Sequence, residues 1–340
     1  MIFKKNWKII AALVLAILLF IIKSLLALPA NLTNQKFVIT PGENFLSIAN
    51  NLSGQGIIKN KNLFILLAYL NGDYSRIKPG EYLFDGKYNI KQIIDILKNH
   101  LGISITIPEG FNIFQVENEL IKNGIISEKF SLVNYKISNL ETDFTIYPFL
   151  QYVDENNNFE GFLYPDTYYF LKNTDLKDVV SMFLSNFNKE IYSKVKQDIG
   201  DKDVYEKLIL ASLVEKETYF KNDISQITSV VRNRIDNNMP LQIDATLCYI
   251  KMQNNYLTGK SIDCGTLTNV DKNLESLYNT YINKDMVPSP ICSVNYETYN
   301  NVLKNVDTDY LYYISDPETK NTIFAKTLEE HNKNINKYLK

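Results

Sequence analysis

The chain has 340 residues, of which 45% are hydrophobic and 22% charged, with a formal net charge of −2. At roughly 150 residues per domain this length holds about two domains, and the composition excludes disorder, collagen-like repeats and a polytopic membrane protein. Lys and Arg (36) do not exceed Asp and Glu (38), so the chain has little with which to neutralise phosphates, and no nucleic acid is expected among its partners. Three cysteines, Cys248, Cys264 and Cys292, show no Cys-x-x-Cys spacing, which excludes a zinc ribbon or a thioredoxin-like site. The two histidines, His100 and His331, are far apart and each alone, so both are read as structural. Catalysis then rests on carboxylates, hydroxyls or lysines.

The N-terminus carries an unbroken apolar run, Ile9 to Ile22, followed by Lys23 and a further apolar stretch to Ala30. A bilayer core of about 30 Å needs about 20 residues, which the run reaches once the Lys23 stem is allowed to snorkel. Lys4, Lys5 and Lys8 precede it, so the positive-inside rule predicts a cytoplasmic N-terminus (residues 1–8), a single-pass anchor over 9–30 and an extracytoplasmic remainder. Leu28-Pro29-Ala30 makes a poor cleavage site, which favours an uncleaved anchor over a signal peptide. An oxidising compartment would permit Cys248 and Cys264 to pair, with one cysteine left over.

From Phe37 the pattern predicts a small module over 37–100. It reads as a strand and turn through Gly42, helices over 44–52 and 62–70, a strand over 79–84 and a helix over 90–97. The opening pattern then recurs. Gly42, Phe45, Ile48, Leu52, Gly56, Ile57 and Ile58 match Gly110, Ile113, Val116, Leu120, Gly124, Ile125 and Ile126 at a constant offset. Two copies are too few for a solenoid. Residues 141–158 read as a polar loop, 159–170 gather aromatics around Glu160 and Asp166, and 176–195 have a helical period. No Pro/Gly/Ser-rich linker separates the modules, and the predicted architecture is α+β.

The helix predicted over 204–218 ends by presenting two glutamates. At ~100° per residue, Glu215 and Glu217 point about 200° apart and cannot act as a paired dyad. Glu215 shares its face with Leu208, Ala211, Ser212 and Thr218, a small and hydroxylated surface, whereas Glu217 lies above Leu210, Leu213 and Val214, a bulky core face. Desolvation on an apolar helix favours the neutral carboxyl, as a general acid requires.

An ordered set of motifs runs along the chain. It comprises Thr106-Ile-Pro-Glu-Gly110, Glu160-Gly-Phe-Leu-Tyr-Pro-Asp166, Leu210-Ala-Ser-Leu-Val-Glu-Lys-Glu-Thr218, Ser229-Val-Val-Arg-Asn-Arg-Ile235, Leu241-Gln-Ile-Asp244, Tyr278-Asn-Thr-Tyr281 and the tail from Tyr310 through Glu330-His-Asn332. In this order they resemble the endolytic murein transglycosylase, or YceG-like, family. The resemblance implies a LysM-like subdomain over 37–100 and a catalytic domain over 101–340. It also implies cleavage of the MurNAc–GlcNAc bond in nascent glycan strands, leaving 1,6-anhydro-MurNAc ends, without metal or organic cofactor. By this likeness Glu215 matches the catalytic glutamate. It would protonate the glycosidic oxygen and then receive the proton of the sugar's own C6 hydroxyl, so that no second carboxylate is needed, unlike the two-carboxylate scheme of most glycosidases. Gln242, Asp244, Tyr278, Asn279, Tyr281, Glu160 and Asp166 are substrate-binding candidates, as is Glu217, to which Arg232 or Arg234 can pair. Peptidoglycan synthases, including penicillin-binding proteins, are expected partners.

The chain departs from the family at Asp285-Met-Val-Pro-Ser-Pro-Ile-Cys-Ser-Val-Asn295, where three glycines and an asparagine are lost and positive-φ positions come into question. That loop argues for a second reading, a non-catalytic membrane-anchored peptidoglycan-binding scaffold. A solute-binding protein is disfavoured because no lipobox cysteine follows the apolar run.

Overall fold

The computed structural model describes residues 30–99, 102–140, 144–218, 223–304 and 306–339, together with Leu15. The predicted membrane segment therefore lies outside the described residues, Leu15 and Ala30 excepted. Among those described, no helix is long and apolar enough to cross a membrane. His100 also lies outside them. The fold is mixed α+β, with ten helices of eight residues or more and three two-stranded sheets among the described residues. The chain divides into two compact units, one built from residues up to 104 with 169–171, the other from 105–168 and 172–340.

The first unit runs β1 (Ala30–Ile39), α1 (Phe45–Gly54), α2 (Lys61–Leu70), β2 (Gly80–Tyr88) and α3 (Ile90–Lys98). β1 and β2 pair antiparallel, with Phe37 opposite Tyr82, and a bulge lies between Leu32 and Gln35. Both helices after β1 begin on an asparagine whose side chain accepts a backbone N–H, Asn44 from Ser47 and Asn60 from Leu63, which satisfies donors the first turn cannot. Ile48, Ala49, Leu52, Phe64, Phe84, Ile93 and Leu97 close the core of this unit.

The second unit holds α4 (Ile113–Lys122), α5 (Leu176–Phe187, continued by a π turn over Asn188–Tyr192), α6 (Asp201–Glu217), α7 (Ile224–Asp236) and α8 (Asp244–Leu257). After these come α9 (Tyr296–Leu303), the β5–β6 hairpin (Tyr312–Ser315 with Thr322–Ala325) and α10 (Leu328–Tyr338). β3 (Ile103–Thr106) pairs with β4 (Thr167–Phe170). α6 is the central helix. Val204, Leu208, Ala211, Leu213 and Val214 are wholly buried, and α7, α8 and α9 pack on it. The buried Tyr299 of α9 donates its hydroxyl to the Val204 carbonyl at 2.9 Å.

The glycine-poor 285–295 loop contains no positive φ, so the lost glycines leave no strained position there. The accommodation lies opposite. Gly161 has φ +85°, and a Cβ on it would stand 2.6 Å from Pro290. Glycine is required at 161 both for the turn and for the close approach of the loop.

Candidate active site

The small face of α6 is occupied by chain. Ser212 Oγ accepts the Ile291 N–H at 3.0 Å, and Cys292 Sγ donates to the Ser212 carbonyl at 3.3 Å. Glu215, one turn further along this side, accepts from Asn295 Nδ2 at 3.3 Å. Residues 291–295 are buried throughout, and Glu215 lies half-buried beside them. Small side chains permit close approach of a neighbouring segment, and here one fills the space.

Glu217 is the last residue of α6. Thr218 has already left the helix, at φ −95°, ψ 127°, and the face carrying Glu217 emerges from the core into a cleft of about 440 Å³. Gln242, Asp244 and Tyr281 line the same cleft. In Leu241-Gln-Ile-Asp244 the two apolar residues are buried and the two polar ones exposed, an alternation that turns Gln242 and Asp244 outward together. Gln242 sits at φ +55°, in the left-handed region, a conformation costing a non-glycine residue roughly 1–2 kcal/mol. It is held there by hydrogen bonds from Gln242 N to the Thr280 carbonyl and from Ile243 N to Thr280 Oγ1, both 2.9 Å. Asp244 opens α8, and its Oδ1 accepts the Tyr281 hydroxyl at 2.5 Å.

Arg234, Tyr313, Lys272, His331 and Leu241 complete the lining. Arg234 is fixed through its Nε to the Leu311 carbonyl and Nη1 to that of Leu241, each 2.7 Å, with the guanidinium 5.2 Å from the Tyr312 ring centre. Tyr313 donates its hydroxyl to Glu217 Oε2 at 2.6 Å. Burial pushes the Glu217 carboxyl above its ordinary range; the Tyr313 bond and Arg234 pull it down, and Asp244 pushes it up. The result is a carboxyl with its neutral form favoured at the wall of an open, polar cleft. His331 stacks on Tyr312 with ring centres 5.0 Å apart, and burial followed by the Arg234 charge lowers its pKa.

The remaining sequence candidates hold the fold outside this cleft. Asn279 is fully buried. Its Nδ2 donates to the carbonyls of Lys272 (3.1 Å) and Leu274 (2.8 Å), and its Oδ1 accepts Tyr281 N (2.9 Å), so it positions Tyr281. Tyr278 bonds Ser289 Oγ at 2.6 Å and rests against the Tyr249 ring. Glu160, 2% exposed, accepts Ile113 N at 2.9 Å and Gly161 N at 3.3 Å, and burial pushes its carboxyl up to about 8. Asp166 accepts Asn186 Nδ2 at 2.9 Å and Thr167 N at 2.7 Å, fixing the start of β4.

Of the two arginines separated by one position on α7, Arg234 shares the cleft with Glu217, while Arg232 donates to the Val302 carbonyl. His331, isolated in sequence, reaches the cleft because α10 folds back on the β5–β6 hairpin. Lys272 and Tyr313 had no sequence signal beyond lying in or next to recognisable motifs. Cys248 on α8 is disulfide-bonded to Cys264, and Cys292 is buried and free.

These features place the chain among α+β proteins with an open, polar cleft at the end of a buried central helix. The YceG-like family profile matches residues 37–337, and the chain belongs to that family. It is similar to proteins named endolytic murein transglycosylase. One, from Streptococcus pneumoniae serotype 2 (strain D39 / NCTC 7466), is 25% identical over 93% of this chain and 60% of the relative. Another, from Bacillus subtilis (strain 168), is 28% identical over 88% of this chain and 84% of the relative. The chain thus spans only about 60% of the length of the pneumococcal relatives it matches. In fold it is similar to a YceG-like protein from Listeria monocytogenes, whose crystal structure aligns with a TM-score of 0.55 at 24% identity, covering 88% of this chain and 99% of that one.

Proposed function

We propose that this chain is a membrane-anchored endolytic peptidoglycan transglycosylase and that its general acid/base is Glu217 rather than Glu215. The observation that carries the assignment is the position of Glu217. It stands in the cleft with Gln242, Asp244 and Tyr281, while Glu215 is bonded to Asn295 on a filled face. A carboxyl whose pKa is raised by burial suits the first half of the reaction. Glu217 gives its proton to the glycosidic oxygen as the bond from that oxygen to MurNAc C1 breaks. The C6 hydroxyl oxygen of the same MurNAc bonds to C1, and its proton returns to Glu217. Atoms balance without water, and one carboxyl serves both halves. Gln242 and Asp244 supply an amide and a carboxylate for sugar hydroxyl and acetamido groups, and Tyr281 a ring and hydroxyl beside them.

The β–α–α–β order of the first unit supports its reading as a LysM-like, peptidoglycan-facing subdomain. The Cys248–Cys264 disulfide supports an extracytoplasmic location, since such bonds persist in oxidising compartments. The apolar run at residues 9–30 supports the same reading, a catalytic unit tethered outside a membrane, where peptidoglycan synthases would be its partners. The test is product identity. The chain is incubated with uncrosslinked glycan strands and the fragments read by mass spectrometry. Anhydro-ended fragments from the unaltered chain and their loss by at least about a thousandfold in Glu217→Gln are expected. Binding without any cleavage by the unaltered chain would instead support the scaffold reading.

A further inference from the structure

Tyr313 is held by its surroundings rather than by its own reach. β5 is paired to β6 with Tyr313 opposite Phe324, the adjacent Ile314 is buried, and the carbonyl of Leu311 is pinned by Arg234. From there its hydroxyl meets Glu217 Oε2 at 2.6 Å. Burial and the neighbouring Glu217 carboxylate push the Tyr313 hydroxyl well above its ordinary range, so it stays protonated and is the donor at every working pH. In a protonated carboxyl the carbonyl oxygen is the better acceptor, so a fixed O–H donor on Oε2 favours the acid's own proton on Oε1. The other charged or titratable groups lining the cleft with Glu217 are Arg234 from α7, Asp244 from α8, Tyr281 and Lys272 from the segment between α8 and α9, and His331 from α10.

We propose that Tyr313 is the positioning residue of this site: by holding Glu217 Oε2 as an acceptor, it makes Oε1 the oxygen that gives up the proton and takes it back. The inference rests on Glu217 being the acid/base. The Oε1 proton moves to the leaving oxygen as the C1–O bond breaks, and the O6 proton arrives at Oε1 as the O6–C1 bond forms. The Tyr313 proton never leaves its oxygen. Between the two transfers Glu217 is a carboxylate, and a hydrogen bond to a charged acceptor is about twice as strong as a neutral one, so Tyr313 contributes most at that stage.

The test is Tyr313→Phe in the intact chain, with two readouts: the pH profile of anhydro-fragment release, and the titration of Glu217 followed by NMR on protein labelled with ¹³C at the glutamate carboxyls, its signal assigned by Glu217→Gln. Turnover is expected to fall about ten- to a hundredfold, the loss typical of a hydrogen bond to a charged group. Removing a donor to the charged form raises the carboxyl's pKa, so the titration and the alkaline limb of activity both move up by about one to two pH units. An unmoved or downward-moving titration overturns the proposal even if turnover drops, because a merely structural loss lowers activity alike at every pH. Should Tyr313→Phe fail to fold, fluorotyrosine at 313 keeps ring and hydroxyl but donates more strongly, and it must move the titration down; no movement overturns the proposal. Activity retained in Glu217→Gln fails the acid assignment. Activity lost there, with an unmoved titration in Tyr313→Phe, fails only the role of Tyr313.

Discussion

Residues 42–58 and 110–126 make the same bonds in two different units. Asn44 and Asn112 cap their helices by accepting the N–H of Ser47 and Gln115, at 2.8 and 3.0 Å. Gly56 and Gly124 turn the chain at φ +73° and +70°, and the Leu52 and Leu120 carbonyls receive the Ile57 and Ile125 N–H groups at 2.9 Å each. Both ends are thereby closed, by an asparagine at the start and a Schellman turn at the finish. The surroundings differ. Ala49 lies in an apolar core, whereas its counterpart Glu117 is 3% exposed and accepts from Val133 N (2.8 Å), Ser131 Oγ (3.1 Å) and the Tyr256 hydroxyl (2.6 Å). Leu46 is 52% exposed and its counterpart Phe114 only 2%. The second copy is also wired toward α6, with the Gly110 carbonyl accepting Lys216 Nζ at 3.2 Å and its N–H donating to the Ser293 carbonyl at 2.9 Å. The repeat encodes a turn–helix–turn; the side chains it leaves unspecified decide what that device supports.

Two substitutions probe that division. Glu117→Ala gives the second copy the residue the first copy carries, yet it leaves the Val133 N–H without its acceptor and the Ser131 and Tyr256 hydroxyls with only each other to donate to, 2.9 Å apart. A loss of about 3 kcal/mol in denaturant unfolding of the intact chain is expected; less than about 1 kcal/mol would mean the two helices are interchangeable after all. Gly56→Ala and Gly124→Ala should behave as a matched pair. Neither added Cβ meets an atom within 4 Å, so only the left-handed backbone opposes it, at about 1 kcal/mol each. A clear inequality between them would show that the turns are supported differently in the two units.

The same contrast governs what could be read from the sequence. Helices, turns and the repeat were legible because capping residues and apolar spacing act within a few positions. The gathering of Gln242, Asp244 and Tyr281 was legible through recognisable motifs. The surroundings of the two glutamates of α6 were not. A helical wheel assigns Glu215 to an open, small face and Glu217 to a core face, but a small face invites a packed segment, and a core face stops being core where the helix ends. Glu160, Asp166 and Asn279 read as carbohydrate ligands because polar groups among aromatics suit a sugar groove. In the fold Glu160 and Asn279 bond backbone groups and Asp166 fixes the start of β4, uses that leave the same composition. Arg234, Tyr313 and His331 reach the cleft through tertiary contacts spanning up to about a hundred positions, which no local pattern records.

The central claim is the identity of the acid, and the most direct measurement sets Glu217→Gln beside Glu215→Gln on the same glycan strands, with thermal unfolding of each to confirm equal folding. The account predicts that Glu217→Gln abolishes formation of anhydro-ended fragments while Glu215→Gln, which keeps an acceptor for Asn295, retains turnover within about tenfold of the unaltered chain. Full loss in Glu215→Gln with activity surviving in Glu217→Gln would contradict it.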